Sequence, residues 1–294
     1  MNSERTREKL YSLLGDLPER NRPISVKTVA VEETADYILE HLVLDLNGLE
    51  NVPAFFTRPK NANAPYPAVL FSHSHGGFYG MGKNELFQPA PYMYKIPYAT
   101  ALSQMGIACL AIDHWCFGER NGRRESETFK AMLWKGQVMW GMMVYDSIRA
   151  VDYLTSRKDI DATRIAALGM SMGSSMSIWL SALDTRVKTC IDICCLTDYD
   201  ELERQGNLDA HGIFYYVPSL TKHFSMADIN QLIAPRPHLS TAGVYDNLTP
   251  VAGLDRIEAE LAGAGGFELL RYPCGHLETR EMREDVLRFL RGSL

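Results

Sequence analysis

Hydrophobic and polar positions along the chain follow two periods. Near the start, "VKTVAVEE" (26–33), "YILEHLVLDL" (37–46) and "VPAFFTR" (52–58) are rich in β-branched and aromatic residues, with the turn pair Asn47-Gly48 between the last two. They predict an antiparallel opening. The first 17 residues read as a short helix. Beyond "RPKNANAPYP" (58–67), six apolar runs recur that are too short and too continuous for amphipathic helices: "AVLFSHS" (68–74), "IACLAID" (107–113), "RIAALG" (164–169), "TCIDICC" (189–195), "HLSTAGVYD" (238–246) and "FELLRYP" (267–273). Such runs suit strands buried on both faces of a parallel sheet.

Between these runs, apolar residues return at helical spacing. Tyr98, Ala101, Leu102 and Met105 form one stripe, and Val144, Ile148, Val151 and Leu154 a second. Leu254, Ile257 and Leu261 form a third, and Met282, Val286, Phe289 and Leu290 close the chain. A stripe of this kind is the face by which a helix covers a sheet. The alternation predicts an α/β fold with a doubly wound sheet and right-handed crossovers. With strands on both sides of it, 58–67 reads as a loop, so residues 1–294 are expected to form one domain.

Composition adds exclusions. The chain is 46% apolar and 22% charged, without the low hydrophobicity that marks disorder. A net charge of -6 lacks the basic field on which nucleic-acid affinity rests. The one dense basic spot, Arg120, Arg123 and Arg124, is interleaved with Glu119, Glu125 and Glu127 and reads as a solvated loop. "MNSERTREKLYSLL" carries charges where a secretory signal needs an apolar core, and no stretch approaches the ~20 apolar residues of a membrane span. A cytoplasmic protein with no membrane partner is expected. The six cysteines form no C-x-x-C pair, so buried reduced thiols are expected rather than a zinc knuckle or a redox pair.

Candidate chemistry starts at "LGMSMGSS" (168–175), a G-x-S-x-G pentapeptide with a strand run before it and an apolar stretch, "SSMSIWLSAL", after it. On a sharp strand-to-helix turn Ser171 can stand clear of the backbone for a histidine to take its proton, and the flanking glycines leave room for strand and helix to approach. The N–H of Met172 can then face a developing oxyanion. His276, just past the last strand run in "RYPCGH", sits in the slot for the base, and Asp246 in "GVYDNLTP" in the slot for the acid. Asp198, one strand earlier, is the competing acid. In "HSHGGFYG", which begins at His73, the N–H of Gly77 is the favoured second oxyanion donor with Gly76 behind it, and His75 is read as holding the loop by hydrogen bonds.

These residues resemble the α/β-hydrolase superfamily, and within it the dienelactone-hydrolase and acetyl-xylan-esterase-like branch. The features that carry the resemblance are "HSHGGFYGMGKNE", "GIACLAIDHWCFGER", "GMSMGS", "APRPHL", and "DNLTP" with "CGH". The resemblance implies the α/β-hydrolase fold with an eight-stranded, mostly parallel sheet, helices on both faces, and hydrolysis of small-molecule carboxylic esters without metal or cofactor. It assigns nucleophile, acid and base to Ser171, Asp246 and His276, and the oxyanion donors to Met172 and Gly77. Dienelactone hydrolases proper carry cysteine in place of that serine. A peptidase or thioesterase on the same triad, or a ligand-binding protein on a hydrolase scaffold, are the alternatives. Residues 114–141, with Trp115, Phe117, Phe129, Trp134 and Trp140, read equally as a small cap over the pocket or as a surface excursion whose aromatics fill the core. Lys83, Glu85, Glu119 and Arg120 read as substrate contacts or as ion pairs within loops.

Overall fold

The computed structural model describes residues 3–294. Strands β1 (Ser25–Glu33), β2 (Tyr37–Asp45) and β3 (Val52–Pro59) open one sheet, which β4 (Tyr66–Ser72), β5 (Ala108–Ile112), β6 (Ile160–Met170), β7 (Val187–Ile193), β8 (His238–Gly243) and β9 (Phe267–Tyr272) complete in the order β1-β2-β3-β5-β4-β6-β7-β8-β9. β1, β2, β3 and β5 pair antiparallel in that order, and every pairing among β4 to β9 is parallel. The sheet is therefore mostly parallel, as expected. It has nine strands among the described residues, which matches the nine runs of the sequence and corrects the eight that the resemblance implied. The extra strand is an edge, β1, exposed along nearly all its length because only β2 flanks it.

Helices α1 (Ser3–Ser12), α2 (Tyr98–Gln104), α3 (Glu125–Leu133), α4 (Met139–Ser156), α5 (Met172–Leu183), α6 (Tyr199–Arg204), α7 (Met226–Gln231), α8 (Val251–Leu261) and α9 (Arg280–Ser293) surround it. Strand side chains alternate between two cores, as the pleat requires. Ile165 and Ala167 of β6 face one core with Val144 of α4, Ile178 of α5 and Ile257 of α8. Ala166, Leu168 and Met170 face the other, with Leu102 of α2 and Met282 and Val286 of α9. No described helix is long and apolar enough to cross a membrane.

The strand order positions the site. From the centre of the sheet the chain leaves β4 for β5 on one side and β6 on the other. Where the winding reverses, loops at the carboxyl ends of neighbouring strands splay apart and leave a crevice. The turns after β4 and β6 flank that crevice, and the turns after β8 and β9 follow on the same edge.

Candidate active site

The turn after β6 is strained in one place. Ser171 has φ 57° and ψ -118°, an uncommon conformation for a residue with a side chain, and its N–H donates to the Ile193 carbonyl at the end of β7 at 2.8 Å. The glycines on either side make the turn sterically feasible. A Cβ at Gly169 would lie 2.5 Å from both the Gly173 backbone and the Ser72 carbonyl oxygen, and one at Gly173 would lie 1.9 Å from that same oxygen. Strand β4 and the start of α5 therefore touch through bare backbone, and Ser171 projects beyond them into a cleft of about 340 Å³.

His276 reaches the serine from the turn after β9. Its Nε2 lies 2.9 Å from Ser171 Oγ and its Nδ1 lies 2.7 Å from Asp246 Oδ2. The carboxylate accepts only from a protonated Nδ1, which leaves Nε2 unprotonated and able to accept the serine proton. Asp246 is buried, and its second oxygen accepts the Leu248 N–H at 2.8 Å, so the turn after β8 fixes this carboxylate. The competing acid is elsewhere engaged: Asp198 caps α6 through the Glu201 N–H and pairs with Arg256.

Met172 is the first residue of α5, so its N–H has no acceptor within the helix, and it lines the cleft. Gly77 also lines the cleft, with φ 76° and open space where a Cβ would stand. Its N–H, however, donates to His75 Nδ1 at 3.1 Å. This bond places the hydrogen of the His75 ring on Nε2, which faces the Glu125 carboxylate at 3.2 and 3.4 Å. His75 thus holds its loop, between the rings of Phe117 and Phe214.

The loop is braced from below. Glu85 is buried and accepts the Ser74 N–H at 2.9 Å and the Ser74 hydroxyl, which in turn contacts the Tyr92 hydroxyl. Burial pushes the Glu85 carboxyl up to about 7 against the lowering effect of the Ser74 hydrogen bonds. Lys83 joins Asp113 at 2.8 Å and Glu119 at 2.5 Å, and Arg120 joins Asp146 at 2.9 Å. Both cations are thus engaged in ion pairs, Lys83 with carboxylates of the neighbouring connections and Arg120 with Asp146 of α4.

Part of the cleft lining comes from a segment that holds none of the residues expected from the sequence. Between β7 and β8, residues 209–215 contribute His211, Phe214 and Tyr215. His211 donates from Nε2 to the Leu248 carbonyl at 3.1 Å, stacks on Tyr215, and has its pKa pushed down by burial. The only periodicity-free signal was the aromatic run "IFYYV", which lies outside any strand pattern. From 114–141 only Glu125 reaches the cleft. Phe117 and Trp140 of that excursion are fully buried in the core, whereas Trp134 is 93% exposed.

The family model described as acetyl xylan esterase (AXE1) matches residues 37–211, which span β2 through Ser171 to the cleft wall. The chain belongs to the acetyl xylan esterase family. Membership sets it among carboxylic ester hydrolases. It is 52% identical over 297 residues to "Putative hydrolase YtaP" of Bacillus subtilis (strain 168), covering 99% of both chains. Among solved structures, an acetyl xylan esterase from Paenibacillus sp. R4 shares the fold with a TM-score of 0.66 at 19% identity, over 100% of this chain and 92% of that one. A glucuronoyl esterase from Solibacter usitatus shares it with a TM-score of 0.67 at 16% identity, over 98% and 91%.

Proposed function

We propose that this AXE1-family chain is a serine esterase that cleaves small acyl esters, acetyl esters among them, through an acyl-enzyme on Ser171. The observation that carries the reading is the unbroken relay from Ser171 Oγ to His276 Nε2 and from His276 Nδ1 to Asp246, at 2.9 and 2.7 Å. In the first half-reaction Ser171 Oγ attacks the ester carbonyl while His276 Nε2 takes its proton. Asp246 steadies the imidazolium. The tetrahedral oxyanion is met by the Met172 N–H, augmented by the α5 N-terminus, and by the Gly77 N–H once that leaves His75 Nδ1. His276 then protonates the departing alcohol. In the second half-reaction water takes the place of the alcohol, His276 accepts its proton, and the acid is released.

The alternatives meet the same test. A fluorophosphonate probe is expected to leave a covalent adduct on Ser171, read by peptide mass spectrometry, and S171A is expected to abolish both adduct and turnover of p-nitrophenyl acetate. A folded wild-type protein without the adduct would instead be a ligand-binding protein. Faster cleavage of aminoacyl amides than of p-nitrophenyl acetate would make it a peptidase.

A further inference from the structure

Three groups in series join the cleft to a buried carboxyl that the ester chemistry does not use. Glu85, in the 3₁₀ turn Gly82–Leu86, is 1% exposed. Its Oε1 accepts the Ser74 N–H at 2.9 Å, and its Oε2 meets the Ser74 hydroxyl. The same Ser74 Oγ meets the Tyr92 hydroxyl. Tyr92 lines the cleft with Ser171 and His276, its ring centroid 6.3 Å from that of His276. A Cβ at Gly76 would lie 2.2 Å from the Tyr92 hydroxyl oxygen, so that oxygen stands directly against the loop that carries Gly77.

Counting hydrogens shows what this series does. Ser74 Oγ carries one hydrogen and makes two contacts, and the Tyr92 hydroxyl carries one hydrogen of its own. With Glu85 ionised, Ser74 gives its hydrogen to the carboxylate and receives one from Tyr92, whose hydrogen is turned away from the cleft. With Glu85 protonated, the carboxyl gives its hydrogen to Ser74, Ser74 gives its own to the Tyr92 oxygen, and the Tyr92 hydrogen is released. The bond from the Ser74 N–H to Oε1 is compatible with both states. One proton at Glu85 therefore reverses two hydrogen bonds and frees or withdraws a donor at the cleft.

The surrounding groups set where the reversal falls. Glu278, in the turn before α9, pairs with Arg283 at 2.7 Å and accepts the Tyr98 hydroxyl of α2. Lys83, in the same 3₁₀ turn as Glu85, is drawn away to Asp113 and Glu119. His73, next to Ser74, is kept neutral by burial, which pushes its pKa down to about 4. Buried, and beside the second carboxylate of Glu278, Glu85 keeps its proton to about pH 7. The cleft has a use for the donor, because the Gly77 N–H is taken up by His75 Nδ1.

Resting on the esterase reading above, we propose that Tyr92 gives its hydroxyl hydrogen to the tetrahedral oxyanion, and that Glu85, acting through Ser74, decides whether that hydrogen is available. Glu85 and Ser74 are positioning residues; Tyr92 is the group that touches the reacting atoms. When Glu85 ionises, its proton passes to solvent and Tyr92 keeps its own, so only the direction of the hydrogen bonds changes. The donor acts on the oxyanion rather than on the bound ester and so is read in kcat.

The test is kcat for p-nitrophenyl acetate between about pH 5.5 and 9 in wild type, Y92F and E85Q. His276 must be unprotonated in every variant, so its effect cancels in the ratio of wild type to Y92F. That ratio is expected to be about tenfold or more at about pH 6, below the hundredfold of a lone oxyanion donor because the Met172 N–H shares the charge. It is expected to fall toward unity by about pH 8.5, along one titration near 7. In E85Q the amide oxygen accepts the Ser74 N–H and the amide N–H gives to Ser74 Oγ, the hydrogen pattern of protonated Glu85. E85Q is therefore expected to lose the decline and to exceed wild type by about tenfold at about pH 8.5. The proposal is overturned by a ratio near unity at about pH 6, by a ratio that does not change with pH, or by a folded E85Q that keeps the decline. Should E85Q not fold, the ratio of wild type to Y92F decides alone. If folded wild type turns over no ester and takes no fluorophosphonate adduct, the esterase reading fails and this inference with it. If p-nitrophenyl acetate is turned over and the ratio is flat, only the inference fails.

Discussion

Gly173→Ala reverses the usual sign of a helical glycine-to-alanine change. Gly173 lies in the first turn of α5, where helix propensity alone would make alanine more stable by about 0.5–1 kcal/mol. The added Cβ would stand 1.9 Å from the Ser72 carbonyl oxygen, 2.8 Å from the carbonyl carbon and 3.1 Å from the His73 oxygen. All three are backbone atoms, so no rotamer change relieves the overlap. Ser72 is itself held in the sheet opposite Gly169 of β6, so α5 must retreat by roughly 1 Å. Overpacking of this kind costs about 1–3 kcal/mol, more than propensity returns. The retreat carries Ser171 and Met172 with it, and a displacement of about 1 Å at a reacting group is worth about a hundredfold in rate. The expected result is a melting temperature lowered by a few degrees and a kcat/KM for p-nitrophenyl acetate lowered about a hundredfold. Gly292→Ala, near the end of α9, meets open space at the new Cβ and is expected to leave the rate unchanged and raise the melting temperature slightly. Wild-type kinetics in Gly173→Ala, with no loss of stability, would refute the argument that close backbone approach is what this glycine provides.

Asp246→Asn is expected to lower kcat by about 10³–10⁴ by releasing the His276 tautomer, whereas Asp198→Asn, at a helix cap with a half-exposed arginine partner, stays within about threefold of wild type. The reverse ranking in steady-state kinetics would move the acid to the turn after β7. His238, buried between β7 and β8, sets a pH dependence of stability. Burial pushes its pKa down, but the neighbouring Cys190 and the Asp192 carboxylate 2.7 Å away hold it up at about 10. The folded state therefore binds an extra proton between about pH 6.5 and 10. That stabilisation is complete below 6.5 and is lost as pH rises through 10. In urea denaturation the stability gap between wild type and His238→Gln is expected to narrow steadily over this window, and a gap constant from pH 6.5 to 10 would contradict it.

What was readable in the sequence follows from which interactions are local. Continuous apolar runs report strands buried on both sides, and each of the six runs after residue 67 overlaps one of the strands β4 to β9. The run at 238–246 overshot: β8 ends at Gly243, because Gly243 packs against the Cys274 and Gly275 carbonyl oxygens and the chain turns there to present Asp246. Turn chemistry is local as well, so the surroundings of Ser171 could be argued from two glycines, a strand before and a helix after. The cleft wall could not. His211, Phe214 and Tyr215 lie on short turns without a repeating pattern, and Glu125 stood in a charge-rich stretch that reads as solvated loop. The hydrogen-bond partners of that carboxylate, His75 and Tyr79, are 50 and 46 residues away in the chain. A charged side chain joins a buried cleft only when the fold removes its water and supplies donors in exchange, and neither event leaves a trace in local composition. This is why the residues proposed for acyl transfer could be expected from sequence order, while the rest of the cleft lining required the folded chain.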